Sequence, residues 1–472
     1  MVVPILIVIH VVMHTVGFLS SIHAVMSTRT SQGAIAWAVS LNTFPYIAVP
    51  AYWILGRPRF QGYVTARQAG MVELQPTIEA AAAGADDLRA SGLEEGAVRA
   101  AERLAEVPAL RGNTVSLLID GEATFRSIFE GIDGARRYVL VQFFIVRDDE
   151  LGRRLQAKLM AKARDGVEVL FIYDEVGSHD LPRGYVDTLR EAGVQIYDFH
   201  TQKGPHNRFQ INFRNHRKIV VVDGHTAWIG GHNVGDEYLG KGPLGHWRDT
   251  HVRIEGPAAL AVQLSFVEDW HWATGRIPEV DWTPDHIAEN GVDVLILPSG
   301  PADQLETAGL IFTHAINTAR HRIWISSPYF VPDEAVMAAL QLAGLRGVDV
   351  RILIPDEPDH MLVYLAAFSY VELASQTGVR IFRYQDGFLH EKVMLIDDQV
   401  ASVGTANFDN RSFRLNFEIT AFVEDPRFAS EVERMFRKDF ASSREMQPSD
   451  FDDRPYWFRL GVRLAHLASP VL

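Results

Sequence analysis

One polar pattern occurs twice in the chain with identical internal spacing, and this duplication constrains the fold more than any other feature. The first copy is "HRKIVVVDGHTAWIGGHN" (216–233) and the second is "HEKVMLIDDQVASVGTAN" (390–407). A lone His-x-Lys pair is uninformative, but five positions in register predict two related halves that share one task. Each position is repeated 174 residues later: His216 in His390, Lys218 in Lys392, Asp223 in Asp397, Gly230 in Gly404 and Asn233 in Asn407.

The segments that precede the two motifs also correspond. Residues 117–175 and 295–357 each alternate apolar, strand-like runs with helical segments in the same order. Alternating strands and helices are typical of an α/β sheet. A chance likeness between two ordinary β-α-β segments is the alternative, and it weakens because the next elements align as well. The sequence therefore predicts one α/β lobe in each half.

The spacing of the motif places its histidine and lysine on one side of a strand, since residues i and i+2 point the same way. Arg217 and Glu391, which lie between them, then face the other side. Each half carries one imidazole, so one can attack phosphorus while the other protonates the leaving alkoxide. We therefore expect the two halves to meet at a single phosphate, without a metal ion. The predicted donors to the phosphate oxygens are Lys218, Lys392, Asn233 and Asn407.

The first 56 residues contain a single charged side chain, Arg29. It separates two apolar segments, 2–26 and 33–56, each long enough to cross a hydrocarbon core that needs about 20 residues. A cleaved signal peptide is the alternative, but no basic residue precedes the first segment. We expect a transmembrane helical hairpin over residues 1–59.

Other residues near this hairpin bear on its orientation and packing. Pro45 and Pro50 are expected to kink the second helix. His10 and His14 stand one helical turn apart, and we favour packing over metal binding because no third ligand is evident. By the positive-inside rule, the remainder of the chain is placed in the cytoplasm. This rests on three arginines after the hairpin, Arg57, Arg59 and Arg67, against Arg29 in its turn.

Composition narrows the function classes. The formal net charge is −14, which argues against a general nucleic-acid binder, because such proteins meet the phosphate backbone with a basic surface. The chain has no cysteine, so disulfides, thiolate nucleophiles and Cys-ligated metals are excluded. The predicted hairpin makes a membrane the expected partner.

Both motifs match the HxKx4Dx6G-x-x-N pattern of the phospholipase D superfamily at every fixed position, and the chain resembles this superfamily. Within it, the chain is similar along essentially its whole length to bacterial cardiolipin synthases that carry two N-terminal membrane spans. The resemblance implies an α/β fold of two phospholipase D-like lobes related by pseudo-twofold symmetry. It also implies a phosphatidyl-histidine intermediate, no cofactor, and conversion of two phosphatidylglycerol molecules to cardiolipin and glycerol at the bacterial inner membrane.

The resemblance also implies roles for the motif residues. By analogy His216 is the nucleophile and His390 is the general acid and later base, although the sequence does not say which histidine attacks. Asp223 and Asp397 follow buried apolar runs, and their position favours tying a turn over taking part in the chemistry. The catalytic set that the family pattern implies is His216, Lys218, Asp223, His390, Lys392 and Asp397.

One further acid falls on the strand that follows each motif. Asp249 and Glu418 stand where the family pattern has a carboxylate bonded to a catalytic histidine, which fixes the tautomer and stabilises the imidazolium. A surface salt bridge is the alternative for an isolated acid. Thr405 in the second motif corresponds to Gly231 in the first, so a hydroxyl contact to substrate phosphate is expected on one side only.

These patterns divide the chain into five segments. The C-terminal segment combines aromatic residues with arginines, which favours an interfacial helix, and a core-packing helix is the alternative. The expected segments are the hairpin (1–59), a helical connector (60–113), the first lobe (114–290), the second lobe (291–450) and the C-terminal helix (451–472).

Three other functions share some of these features. A hydrolytic phospholipase D has the same motifs but releases phosphatidic acid in water. A superfamily nuclease would need a basic groove and would not need a membrane hairpin. A non-catalytic lipid-binding scaffold would not require two intact motifs.

Overall fold

The computed structural model describes residues 2–28, 30–56, 60, 62–68, 70, 72–73, 75, 86–90, 95–200 and 212–472. The orientation prediction rests on Arg29, Arg57 and Arg59, which lie outside the described residues, as do parts of the predicted connector.

Three helices form the N-terminal region: α1 (Val2–Ser27), α2 (Ser31–Thr43) and α3 (Pro45–Leu55). Helix α1 packs against both α2 and α3. Within the described residues, one helix is long and apolar enough to cross a membrane, Pro4–Ser27 of α1. The second apolar segment is interrupted at Phe44, directly before Pro45, one of the two prolines expected to kink it, whereas Pro50 lies inside α3. Proline disfavours helical backbone angles in the residue before it, so α2 ends before Phe44, and Pro45 begins the new helix α3.

The first half of the remaining chain contains strands β1 to β9. In chain order its elements are α4 (Glu95–Ala105), β1 (Leu110–Ile119), α5 (Asp120–Gly134), β2 (Tyr138–Phe143), α6 (Glu150–Arg164), β3 (Glu168–Asp174), α7 (Arg183–Glu191), β4 (Gln195–Phe199), β5 (Arg214–Asn215), β6 (Ile219–Val222), β7 (Thr226–Gly230), β8 (Trp247–Arg248), β9 (Thr250–Glu255) and α8 (Ala259–Thr274).

The second half follows a similar order with additional short elements. Its elements are β10 (Val292–Ser299), α9 (Thr307–Thr318), β11 (Arg322–Ser326), β12 (Phe330–Val331), α10 (Glu334–Leu345), β13 (Asp349–Pro355), α11 (Met361–Ser375), β14 (Arg380–Tyr384), β15 (Phe388–Leu389), β16 (Val393–Ile396), β17 (Val400–Gly404), β18 (Phe408–Asp409), α12 (Asn410–Arg414), β19 (Asn416–Glu424), α13 (Pro426–Ala441), β20 (Ser443–Glu445), α14 (Ser449–Asp452) and α15 (Tyr456–His466).

Within the part of the chain that the structure describes, both halves contribute to one 16-stranded sheet, and the two strand orders mirror each other. The first half runs β1-β9-β7-β6-β2-β3-β4 from the centre outwards, and the second runs β10-β19-β17-β16-β11-β13-β14. Strands β1 and β10 pair antiparallel at the centre. The mixed α/β architecture expected from the sequence is therefore confirmed.

Two short parallel pairings join the halves beside the motifs. Strand β5, immediately before His216, pairs with the start of β19. Strand β15, immediately before His390, pairs with β8. Each motif histidine therefore directly follows a short strand that pairs with a strand of the opposite half of the chain.

Helices cover both faces of the sheet. On one face, α8 and α13 contribute Val262, Phe266, Val432 and Phe436 to a single apolar core that extends under both halves. On the other face the cores are separate, with α5, α6 and α7 over the first half and α9, α10 and α11 over the second. The shared core fixes the two motifs relative to each other.

Candidate active site

The main chain of each motif histidine is held by the other half of the protein. The backbone N–H of His216 donates to the carbonyl of Phe417 at 2.9 Å. The backbone N–H of His390 donates to the carbonyl of Arg248 at 2.8 Å. These bonds continue the β5–β19 and β15–β8 pairings, so they bring both histidines to the junction between the halves.

The side chains show the same exchange of partners. Nδ1 of His216 lies 2.9 and 3.1 Å from the two carboxylate oxygens of Glu418. Nδ1 of His390 lies 2.7 Å from Oδ2 of Asp249. Both acids are fully buried. Each carboxylate fixes the ring so that Nδ1 carries the proton and Nε2 keeps its lone pair.

The two acids are supported differently. Glu418 accepts hydrogen bonds from the Thr405 hydroxyl at 2.6 Å and from the Asn416 amide at 3.2 Å. Asp249 accepts from the backbone N–H of Thr250 at 2.8 Å. A Cβ at Gly231 would lie only 2.0 Å from Oδ1 of Asp249, so the missing side chain makes room for this carboxylate.

This arrangement corrects the expectation for Thr405. Its hydroxyl is completely buried, donates to Glu418 and accepts from the backbone N–H of Ile419 at 2.9 Å. A hydroxyl has one hydrogen to donate, and that hydrogen is used on the carboxylate. Thr405 therefore positions Glu418 and does not point to a substrate phosphate.

The two motif lysines lie beside the histidines and are buried. The ammonium of Lys218 donates to the carbonyl of His216 at 2.7 Å. The ammonium of Lys392 contacts the carbonyl of His390 and lies 2.9 Å from its Nδ1. Burial lowers the pKa of Lys392 to about 8 and lowers that of Lys218 well below its ordinary value. An ammonium has three donors, so each lysine retains capacity for a further acceptor.

Burial also controls the histidines. It lowers the pKa of His216 to about 4, although Glu418 opposes the shift. Burial and the charges of Lys392 and Lys218 lower the pKa of His390 well below its ordinary value. Without a bound anion, both imidazoles are therefore neutral near pH 7.

The two motif asparagines are not equivalent. Oδ1 of Asn233 accepts from the backbone N–H of Ile145 at 3.0 Å, and its Nδ2 donates to the Tyr238 hydroxyl at 2.9 Å. The amide of Asn233 is therefore largely used in holding the surrounding loops. Oδ1 of Asn407 is buried and has no hydrogen-bond partner among the described residues.

Asp223 and Asp397 lie at the far end of their strands from the histidines, which corrects their inclusion in a catalytic set. The carboxylate of Asp223 accepts from the backbone N–H groups of residues 136, 137 and 138, at 2.8 to 2.9 Å. Asp397 accepts in the same way from residues 320, 321 and 322. The four-residue strands β6 and β16 separate each aspartate from its lysine. Both aspartates tie a turn to the start of a neighbouring strand, as their position in the sequence favoured.

The residues between His and Lys face the opposite side, as the alternation requires. Arg217 forms a buried ion pair with Asp269 of α8 at 2.9 Å. Glu391 lies 3.2 Å from Arg248, which also contacts Asp439 of α13 at 3.0 Å. The corresponding residues of the two halves are thus buried in different ion pairs, Arg217 with an aspartate and Glu391 with an arginine.

Several aromatic rings line the histidines, and sequence reasoning did not assign them to the site. The His216 ring centroid lies 4.9 Å from that of Phe144. The His390 centroid lies 5.2 Å from Trp247 and 5.8 Å from Tyr238. Tyr238 and Trp247 could have been suspected from the sequence, because they lie in "GDEYLG" and "HWRD", which follow shortly after the first motif.

Two other histidine groups lie away from the motifs. The ring centroids of His10 and His14 lie 4.3 Å apart with the rings tilted by 49°, and Nδ1 of His10 lies 2.7 Å from the Tyr46 hydroxyl. The described residues contain one group with metal-ligand spacing, Glu175, Asp198 and His200. The two carboxylates contact both ring nitrogens of His200 and raise its pKa to about 10, so this group is an ion-paired cluster.

Comparison with known proteins identifies the family. The family model described as "Cardiolipin synthase, PLD-like domain" matches residues 128–270 and 312–440. The chain is 52% identical over 470 residues to cardiolipin synthase A of Pseudomonas entomophila (strain L48), covering 97% of each chain. It is 51% identical over 466 residues to cardiolipin synthase A of Pseudomonas aeruginosa (strain LESB58), covering 97% of this chain and 94% of that one.

The chain belongs to the cardiolipin synthase family of phospholipase D-like proteins. Membership in the cardiolipin synthase family makes it an enzyme of phospholipid biosynthesis, with phosphatidyltransferase as its reaction class. Helix α1 is consistent with the membrane association of this family. Among solved structures, the phosphatidylserine synthase of Haemophilus influenzae Rd KW20 shares the fold, with a TM-score of 0.60 and 15% identity, covering 80% of this chain and 100% of that one.

Proposed function

We propose that the chain converts two phosphatidylglycerol molecules to cardiolipin and glycerol through a phosphatidyl-histidine intermediate. The observation that carries this proposal is the exchange of acids between the halves: His216 on Glu418 and His390 on Asp249. Two imidazoles with bonded Nδ1 atoms at one junction supply a nucleophile and a general acid together. One half alone would supply only one of these.

In the first step Nε2 of His216 attacks phosphorus of the first phosphatidylglycerol. The bond from phosphorus to the glycerol headgroup oxygen breaks, and His390 donates its proton to that oxygen. The negative charge of the bound phosphate favours the imidazolium form of His390 and so offsets the effect of burial, which lowers the pKa of this ring. Glycerol leaves, and the phosphatidyl group remains on His216.

In the second step His390, now neutral, takes the proton from the primary hydroxyl of a second phosphatidylglycerol. The resulting oxygen attacks phosphorus, the bond from phosphorus to Nε2 of His216 breaks, and cardiolipin forms. Lys218, Lys392 and Asn407 donate to the phosphate oxygens, where negative charge grows in each transition state. The remaining N–H of Asn233 is a weaker contributor, because its amide also holds Ile145 and Tyr238.

Water is the competing acceptor, and burial of the site favours the lipid. Both histidines and both lysines are buried, so an acceptor that fills the cleft excludes water from the phosphatidyl-histidine. Anchoring at the bilayer also raises the effective concentration of lipid hydroxyls. Phosphatidylglycerol and other anionic phospholipids are thus the proposed partners, and the net charge of −14 disfavours nucleic acid.

The proposed membrane arrangement keeps two spans, α1 and the combined α2 and α3, with the catalytic lobes on the cytoplasmic side of the inner membrane. Packing of α1 against both shorter helices supports it. Labelling of single introduced cysteines from each side of spheroplasts tests it, because the chain has no native cysteine. Accessibility of lobe positions from outside would reject this orientation.

The proposed organisation keeps five segments and relates the two lobes by a pseudo-twofold axis at their junction. The first lobe begins with β1 at Leu110, four residues before the expected boundary at 114, and the second spans 291–450. The mirrored strand orders and the antiparallel β1–β10 pair support it. The exchange of acids also follows naturally from such symmetry, since each lobe contributes the same groups to the opposite lobe.

Product analysis with the purified full chain in phosphatidylglycerol micelles tests the reaction. One glycerol released per cardiolipin formed is expected, and phosphatidic acid as the main product would show hydrolysis instead. His216→Ala and His390→Ala should each abolish turnover, whereas His179→Ala, at an exposed position, serves as the matched control. Normal turnover in either motif variant would reject the two-histidine scheme.

A further inference from the structure

Helix α15 presents apolar side chains on two faces. Phe458, Val462 and Ala465 point inwards against α11, where the Phe458 ring lies 5.3 Å from that of Phe368. Trp457, Leu460, Leu464 and Leu467 point outwards and are between 46% and 76% exposed. These four positions are three or four residues apart, so they form one stripe along the helix and its C-terminal cap.

A continuous apolar stripe differs from scattered exposed leucines. Single exposed apolar residues are normal on a soluble surface, but contiguous ones mark a contact with a membrane or a partner. The high exposure of all four side chains shows that no described part of the chain covers the stripe. The inward face already satisfies the packing of α15, so the outward face is not required for its folding.

The charges and aromatic residues of α15 indicate the nature of that contact. The helix contains Arg459, Arg463 and no acidic residue, although the whole chain carries a net charge of −14. Tyr456 and Trp457 stand at its beginning, and aromatic residues of this kind favour the headgroup level of a bilayer. A helix with leucines, aromatics and arginines is typical of one that lies in the plane of an anionic lipid surface.

The packing of α15 holds this face in a defined direction. Arg463 donates to Glu372 of α11 at 2.7 Å, and Val462 is completely buried beside it. The stripe therefore cannot rotate inwards without breaking this ion pair and the α11 contact. The packing of α15 against α11 therefore fixes the direction in which the stripe faces.

We propose that the outward stripe of α15 lies in the interface of an anionic phospholipid bilayer and forms a second membrane contact in addition to α1. The inference rests on the proposed membrane-bound function and deepens it. Two separate contacts restrict how the catalytic sheet can tilt over the bilayer, which favours repeated capture of lipid headgroups. A second copy of the chain is a poorer occupant, because a contact between two identical faces would bring the arginines of both α15 helices, Arg459 and Arg463, towards each other.

Spin labelling of the full chain tests the contact without requiring turnover. Leu464→Cys gives a unique labelling site because the chain has no cysteine, and Ile287→Cys is the control, at an exposed apolar position between the halves. Each variant carries a nitroxide and is placed in bilayer discs of phosphatidylglycerol and phosphatidylcholine. We expect the label at 464 to collide more with oxygen than with a water-soluble nickel complex, and the label at 287 to show the opposite.

Two results would overturn the proposal. Equal exposure of both labels to the nickel complex would show that the stripe faces water. Spin–spin broadening at 464 would show that a second copy covers it. Either result is independent of the reaction, so an error in the proposed chemistry remains distinguishable.

A kinetic measurement gives an independent check. The triple variant Trp457→Ala, Leu460→Gln and Leu464→Gln changes only outward side chains, and its circular dichroism should match that of the unaltered chain. The KM for phosphatidylglycerol in vesicles should rise by about threefold or more, because apolar burial and orientation at the interface are lost. The rate with dispersed short-chain phosphatidylglycerol should stay the same. An unchanged KM in vesicles would contradict the inference.

Discussion

Nδ1 of His390 is hydrogen-bonded to Oδ2 of Asp249 at 2.7 Å, although the two residues belong to different halves of the chain. His216 and Glu418 repeat the relationship in the opposite direction. Neither motif histidine therefore takes its carboxylate partner from its own half of the chain. Correct docking of the halves assembles both pairs at once, which explains why the core beneath the sheet is continuous across the junction.

Removing the charge of either acid should impair catalysis more than folding. Asp249→Asn and Glu418→Gln remove the carboxylate that orients and stabilises a catalytic imidazole, so kcat should fall by about ten-thousandfold. Two matched controls should keep their activity: Glu255→Gln at the end of β9, the strand that begins directly after Asp249, and Glu424→Gln at the end of β19, the strand that contains Glu418. In a His390→Ala background, Asp249→Asn should add little further loss, because the pair acts as a unit. Steady-state kinetics on the single and double variants measure this.

The space at Gly231 should be essential for the Asp249 carboxylate. A methyl group there would lie 2.0 Å from Oδ1, so Gly231→Ala must displace the carboxylate from His390. A misplaced catalytic group costs about a hundredfold in rate. Gly134→Ala is the control, since nothing lies within 4 Å of its added methyl group. Equal activities of the two alanine variants would show that Asp249 does not need this position.

Asp223 should contribute to stability and not to turnover. In Asp223→Asn the new NH2 group faces at least one of the three backbone N–H donors that the carboxylate now satisfies. Loss of these buried bonds should lower the free energy of unfolding by about 3 kcal/mol. Denaturant unfolding measures this, and the rate per folded molecule should be unchanged. A large drop in kcat at unchanged stability would restore Asp223 to the catalytic set.

The pH dependence of kcat/KM should be broad. His216 must be neutral to attack, and its pKa of about 4 keeps it so throughout the neutral range. Lys392 must be protonated to stabilise the phosphate, and its pKa of about 8 means that this charge is lost as the pH rises through that value. These two groups set limits near pH 4 and pH 8. Between the limits kcat/KM should decline as the pH rises, because His390 is neutral near pH 7 in the free protein and must take up a proton to act as general acid. A pH–rate profile checks both limits.

The basic limit has its own test. Lys392→Arg keeps a positive charge at high pH, because a guanidinium does not lose its proton in this range. The activity that remains in this variant should extend to higher pH than in the unaltered chain. An unchanged basic limit would assign it to another group, and an acidic limit near 6.5 would show that burial does not control His216.

Much of the site was accessible from the sequence because strand geometry is local. The i, i+2 alternation placed His216 and Lys218 together and turned Arg217 away, and the buried ion pair of Arg217 with Asp269 agrees with it. The duplication likewise predicted two α/β halves. The prediction of a second continuous span was less accurate, because apolar composition does not show where a helix ends. The second apolar segment is divided into two helices before Pro45.

The sequence by itself determined which chemical groups are present, how they are spaced along each strand, and that they occur twice. Only the tertiary structure decided which group serves which partner. In the folded protein the Glu418 carboxylate contacts His216, the Thr405 hydroxyl donates to Glu418, and the Asp223 carboxylate accepts from backbone N–H groups at a turn. The reason is that strand alternation depends on adjacent residues, whereas these contacts join positions up to 202 residues apart and form only when the two halves close on a common core.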